Sequence, residues 1–144
     1  IVALTELTRL ALPAMVERRS GRVLNIGSTA GFMPGPLQAV YFATKAYVVS
    51  FSEAIAHELK GTGVTVTVLC PGPVDTGFIA ASDLGGTKLF SKTKTAEYTA
   101  RRGYEAMMQG KREIITEFRG MIKFLIPILP QSAVLEYTRR LQEK

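Results

Sequence analysis

Two hydrophobic periods alternate along the chain, and the switches between them mark out the elements. Residues 1–18 carry Val2, Leu4, Leu7, Leu10, Ala11, Ala14 and Met15 at helical spacing. Pro13 lies inside that run, where its missing N–H and its ring should kink or break a helix. Arg18-Arg19-Ser20-Gly21 closes the segment with cations and then glycine. Residues 22–28 are short, apolar and bounded by glycine, which predicts a buried strand. Residues 29–37 hold two glycines and two prolines and read as a loop.

Residues 39–60 form the strongest helical pattern. The first half is apolar nearly all round, the mark of a helix covered on more than one side. The second half is amphipathic, and Gly61-Thr62-Gly63 stops it. Residues 64–70 are rich in β-branched side chains and predict a strand, ended by Pro71-Gly72-Pro73. Strand, helix and strand with short connections make a βαβ unit, with parallel pairing and a right-handed crossover. With the helix in front, the pattern is α/β. Further on, 76–91 reads as a long loop or short helices, 96–109 as a helix, 111–116 as a last strand and 132–142 as a final amphipathic helix. The apolar stretch 121–129 is broken by Lys123 and Pro127 and is far shorter than the roughly 20 residues of a membrane span. The expected organisation is one domain over 1–144, with 117–144 a basic and apolar helical tail.

Composition narrows the picture. A 47% hydrophobic chain has enough apolar surface for a core. The formal charge of +6 is unevenly spread: Lys and Arg balance Asp and Glu up to residue 87, and the excess lies in the last 57 residues. The plain reading of that tail is a solvated face; contact with an anionic membrane surface competes with it. No basic run is interleaved with aromatics, so nucleic-acid binding is not expected. A single cysteine, Cys70, excludes an internal disulfide framework and fits a reducing, cytoplasmic setting. It ends a strand without a His or Cys companion and reads as an inert, packed thiol. His57, the one histidine, reads as surface or structural, Asn25 as a brace of the fold, and Ser50 and Ser52 need no special role. No metal site is suggested. The opening Ile1-Val2-Ala3-Leu4 has no signal-peptide character and already reads as mid-helix, so residues are expected in front of it.

The chemistry centres on Tyr41-Phe42-Ala43-Thr44-Lys45. Residues i and i+4 share a helix face, which brings a phenol and an ammonium together. A nearby ammonium favours the phenolate, and such a tyrosine can exchange a proton with an alcohol or carbonyl oxygen. Context singles this pair out. Its helix is entered from a Gly/Pro loop, that loop follows a strand ending in Gly27-Ser28, and the next strand ends at Pro71-Gly72-Pro73. All of these lie at the carboxyl edge, where open α/β sheets bind ligands.

Asn25-Ile26-Gly27-Ser28-Thr29-Ala30-Gly31, then Tyr41-Phe42-Ala43-Thr44-Lys45, then Cys70-Pro71-Gly72-Pro73-Val74-Asp75-Thr76 together resemble the short-chain dehydrogenase/reductase family. The resemblance extends to about residue 116. It implies a Rossmann-like doubly wound parallel sheet and hydride transfer between a nicotinamide cofactor and a carbonyl or alcohol. Tyr41 would be the general acid/base. Lys45 would hold the cofactor ribose and favour the Tyr41 phenolate. Ser28 would hydrogen-bond the substrate oxygen. Pro71, Gly72, Val74 and Thr76 would line the nicotinamide. Phe32, Met33 and Phe78, with Pro34, Ile79, Leu84 and Leu89, would set the substrate side; their apolar character suits an aliphatic, aromatic or lipid-like carbonyl. The resemblance leans to NADP over NAD, and to a homodimer or homotetramer formed through helices 1–18 and 39–60.

The family's Gly-x-x-x-Gly-x-Gly phosphate turn, its Asn-Asn-Ala-Gly segment and its helix asparagine have no counterpart here. All belong before Ile1, so the chain reads as the carboxy-terminal portion of the domain. Left alone, the strand at 22–28 would have an exposed edge. Two other functions compete with the enzyme: a non-catalytic oligomerisation or regulatory fragment, and a membrane-peripheral module built on the tail.

Overall fold

The computed structural model describes residues 1–77, 87 and 93–143. In chain order these form α1 (Val2–Glu17), β1 (Gly21–Ile26), a 3-10 turn (Thr29–Phe32), α2 (Ala39–Glu58), β2 (Val64–Cys70), β3 (Val74–Asp75), β4 (Lys94–Thr95), α3 (Ala96–Met108), β5 (Glu113–Ile115) and α4 (Gln131–Gln142). A π-helical turn (Met121–Leu125) and a 3-10 turn (Ile126–Ile128) lead into α4.

The strand alternation at 64–70 builds the centre of the molecule. β2 lies between β1 and β5, and both pairings are parallel, with Val23 opposite Val66 and Cys70 opposite Ile115. Period two sends Val64, Val66, Val68 and Cys70 to one face. There Val64 and Val66 pack with Leu12, Met15 and Val16 of α1 and Ile55 of α2, while Val68 and Cys70 pack with Val48, Val49, Ile115 and Ile122. Leu69 points the other way, against α3 at Gly103. Helices therefore cover both faces of a parallel sheet, the doubly wound α/β arrangement the sequence predicts. Val68 is fully buried; sealing such a side chain from water is worth about 1.5–3 kcal/mol.

Three expectations change. α1 runs unbroken through Pro13, since Leu12, Met15 and Val16 on either side are anchored to the sheet. The loop at 29–37 contains the 3-10 turn. The first half of α2 is not covered on several sides by the described residues: Val40 is 78% exposed, as are, to 68%, Leu7 and Leu10 of α1. β1 is an edge strand with β2 as its partner, and Ile26 at its end is half exposed. The two-residue strands β3 and β4 pair in parallel and bring residue 75 beside residue 95. They were not foreseen.

Candidate active site

The carboxyl ends of β1 and β2 are stitched together by backbone hydrogen bonds. Gly27 N–H donates to the Leu69 carbonyl at 2.7 Å, and Thr29 N–H donates to that of Pro71 at 2.9 Å. Between them Ser28 is buried in extended backbone, and its Oγ accepts the Ala30 N–H at 3.1 Å. The side chain thus starts the 3-10 turn as an N-cap does. That turn lies directly on α2: a Cβ at Gly31 would stand 2.7 Å from the Lys45 carbonyl oxygen. Glycine permits this approach, which fixes the Ser28 loop against the helix bearing Tyr41 and Lys45.

Lys45 closes the arrangement from the helix side. Its Nζ donates to the Ile26 carbonyl at 3.1 Å, two residues before Ser28, and lies 5.8 Å from the centre of the Tyr41 ring. Burial pulls the Lys45 pKa below its ordinary value, with Cys70 acting weakly the other way. An ammonium held in such surroundings seeks oxygen partners. Tyr41 is half-buried on the same helix face. Cys70 is buried, and its pKa is pushed up to about 12, first by desolvation and then by the charge of Glu113. It is a packed thiol, not a nucleophile.

After β2, Pro71, Gly72 and Val74 are partly buried and Thr76 is exposed. Lys94 N–H donates to the Pro73 carbonyl at 3.1 Å, extending the β3–β4 pair. Gly72 N–H donates to Glu117 Oε2 at 2.7 Å. Phe78, Ile79, Leu84 and Leu89 lie outside the described residues.

A groove of about 450 Å³ opens on another side of α2, lined by Gly31, Met33, Pro34, Phe42, Ala43 and Leu135 among others. At 100° per residue Ala43 leaves the helix opposite Tyr41 and Lys45, while the Phe42 ring meets the Tyr41 ring edge to face, with ring centres 6.0 Å apart. Met33 lines this groove. Phe32 packs on the Val48–Val49 cluster with Lys123 Nζ 5.0 Å from its ring centre. Met33 packs on the same cluster as well as lining the groove, so these two of the expected substrate contacts stay together.

Three side chains escaped the reading of the sequence. Ser52 is fully buried and accepts a hydrogen bond from Asn25 Nδ2 at 2.9 Å, so α2 is tied to β1 through a serine to which the sequence assigns no role. Glu117 grips Gly72; a carboxylate two residues past β5, on the ligand-binding edge, was its only signal. Thr138 of α4 donates to the Pro34 carbonyl at 3.0 Å and brings the tail helix onto the loop at 33–36. His57 is exposed.

A parallel sheet covered by helices on both faces defines a Rossmann-like α/β domain. The model of the family described as short chain dehydrogenase matches residues 1–84, more than half of the chain, and the chain belongs to that family. A ketoacyl reductase, HetN, from Nostoc sp. is 44% identical over 90 residues, 62% of this chain and 31% of that protein. Among solved structures, a short-chain dehydrogenase from Sphingobium yanoikuyae in complex with NADPH superposes with a TM-score of 0.75 at 22% identity, covering 92% of this chain and 55% of that one. One from Burkholderia phymatum in complex with NAD gives 0.74 at 22% identity, covering 100% and 58%. These likenesses show the fold. The chain spans under a third of that curated relative and just over half of those solved chains.

Proposed function

We propose that this chain carries the proton-transfer half of an NAD(P)-dependent oxidoreductase that interconverts a carbonyl and an alcohol, with Ser28, Tyr41 and Lys45 as the catalytic residues. The observation that carries the reading is the tether of Lys45 Nζ to the Ile26 carbonyl, which holds the Tyr41–Lys45 face against the Ser28 loop. The bound nicotinamide would supply or accept the hydride. Tyr41 gives its phenolic proton to the carbonyl oxygen as that oxygen gains negative charge, and takes it back in the reverse direction. Ser28 Oγ–H hydrogen-bonds the same oxygen and steadies its charge. Lys45 favours the phenolate and offers its remaining N–H groups to ribose hydroxyls.

The residues present fit the nicotinamide end of such a cofactor. Among the described residues the desolvated Lys45 ammonium has one carbonyl partner for three donors, and Pro71, Gly72, Val74 and Thr76 follow β2 on the same edge. The chain contains no Gly-rich phosphate turn; in this reading the rest of a single domain supplies it, and this chain is its carboxy-terminal part. The known cofactors of the structural relatives support NADP or NAD alike, and a slight preference for NADP rests on the resemblance alone. The name of the Nostoc relative supports an acyl or lipid-like carbonyl substrate, which suits the apolar Met33. The exposed Leu7, Leu10 and Val40 support a homodimer or homotetramer formed through α1 and α2, and the single, free Cys70 fits a reducing, cytoplasmic setting.

Tyr41→Phe in the polypeptide that includes the upstream residues tests the assignment. Turnover should fall by about 10²–10⁴-fold, the usual contribution of a general acid, while cofactor affinity measured by nicotinamide fluorescence stays within a factor of about three. Full turnover by the phenylalanine variant would overturn it.

A further inference from the structure

The turn after β2 is held by a side chain that the proposed catalytic set does not use. Glu117 follows β5 on the side of β2 opposite the open edge at β1. Its Oε2 accepts the Gly72 N–H at 2.7 Å, and the Thr116 hydroxyl donates to the same oxygen. The fit is close: a Cβ on Gly72 would lie 2.9 Å from Oε2. The other oxygen, Oε1, is buried with no hydrogen-bond partner, and among the described residues no cation pairs with this carboxylate. Burying a carboxylate oxygen without a partner costs free energy. A contact kept at that cost points to a purpose beyond packing, and a hydrogen bond to a charged acceptor is among the stronger ones a backbone amide makes.

We infer that Glu117 is a positioning residue for the nicotinamide site, acting through the Gly72 amide to fix the Pro71–Pro73 turn in the shape that receives the ring. The inference rests on the oxidoreductase reading, since that reading makes Pro71 and Gly72 part of the cofactor's wall. Three contacts make the turn stiff: Thr29 N–H on the Pro71 carbonyl, Glu117 on the Gly72 amide and Lys94 N–H on the Pro73 carbonyl. The two outer tethers are backbone to backbone. The central one is a side chain, and so the one that substitution can remove.

The experiment compares Glu117→Ala and Glu117→Gln in the full polypeptide. It reads Gly72 amide exchange by NMR without cofactor, and dissociation constants for NADP and NAD by fluorescence. Glutamine keeps an acceptor oxygen in place. Glu117→Ala should speed Gly72 exchange and weaken cofactor binding about tenfold, the scale of one net hydrogen bond, raising KM for cofactor more than it lowers kcat. Glu117→Gln should restore both to within about threefold of wild type. Should Glu117→Ala fail to fold, Thr116→Val, which removes only the second donor to Oε2, should show the same two changes on a smaller scale. Faster Gly72 exchange with unchanged cofactor affinity overturns the inference and leaves the oxidoreductase reading standing. A glutamine variant with a protected Gly72 but lost cofactor binding also overturns it, because the charge and not the tether would then be at work. A wild-type polypeptide that binds neither cofactor overturns both readings.

Discussion

Burial acts on Cys70 and Lys45 in opposite chemical senses, driving each toward its neutral form. For the thiol the consequence for stability is direct. Burial pushes its folded pKa up to about 12 from an ordinary value of 9.0, so the folded chain keeps the proton that the unfolded chain gives up. The stabilisation is complete below pH 9 and is lost as pH rises from 9 toward 12. Between pH 8 and 10.5 the urea midpoint of the wild type should therefore fall further than that of Cys70→Ala, which lacks the group. Equal falls in the two proteins would place the alkaline sensitivity elsewhere. The native thiol should also resist a disulfide reagent at pH 8, reacting at a rate set by unfolding. This much was legible in the sequence, since a lone cysteine at the end of a β-branched strand has nowhere to go but the interior. The Lys45 contact was half legible. The four-residue spacing places its amine beside Tyr41, but its bond to the Ile26 carbonyl depends on how α2 crosses β1, which no local pattern encodes.

At the level of elements, strong periodicity and correct prediction go together. β2 and α2 were read to within a residue or two because each repeats its pattern over many positions, whereas β3 and β4 are two residues long and exist through pairing across a long connection. The tie between α2 and β1 was missed for the same reason. Asn25 and Ser52 are 27 positions apart, and a serine inside an apolar helix carries no sign of its partner. That tie has a measurable worth. Ser52→Ala removes the one side-chain acceptor that the buried Asn25 amide has among the described residues, and stranding such a donor costs about 1–3 kcal/mol. Denaturant unfolding of Ser52→Ala, Asn25→Ala and the double variant should show the second change costing less once the first is made. Strict additivity would mean that the two side chains do not support one another.

Over the whole molecule, the tail ends in the amphipathic helix its pattern predicts, but where that helix docks was not legible. Its basic residues and exposed Phe124 and Ile128 suggest a segment facing outward, yet α4 turns back onto the loop that follows the Ser28 turn. Val134, Thr138 and Gln142 form the buried face of this helix. Thr138 is the hinge of the contact. Its hydroxyl lies 3.0 Å from the Pro34 carbonyl and 2.9 Å from that of Val134 in its own helix. One proton serves one acceptor well, so the tether to Pro34 competes with a bond that Thr138 could make in an isolated helix. The contact spans 104 positions, and threonine in a helix reads the same whether it faces solvent or a distant carbonyl. Thr138→Val keeps the shape and removes the proton. If the hydroxyl seats the helix, the variant should lose about 1 kcal/mol, and hydrogen exchange should speed up together at 131–142 and around residue 35. Met33 and Leu135 share the groove between these segments, so loosening one wall loosens the other. Faster exchange confined to α4 would mean that packing, not the hydroxyl, positions the loop, and that the groove keeps its form without its outer wall.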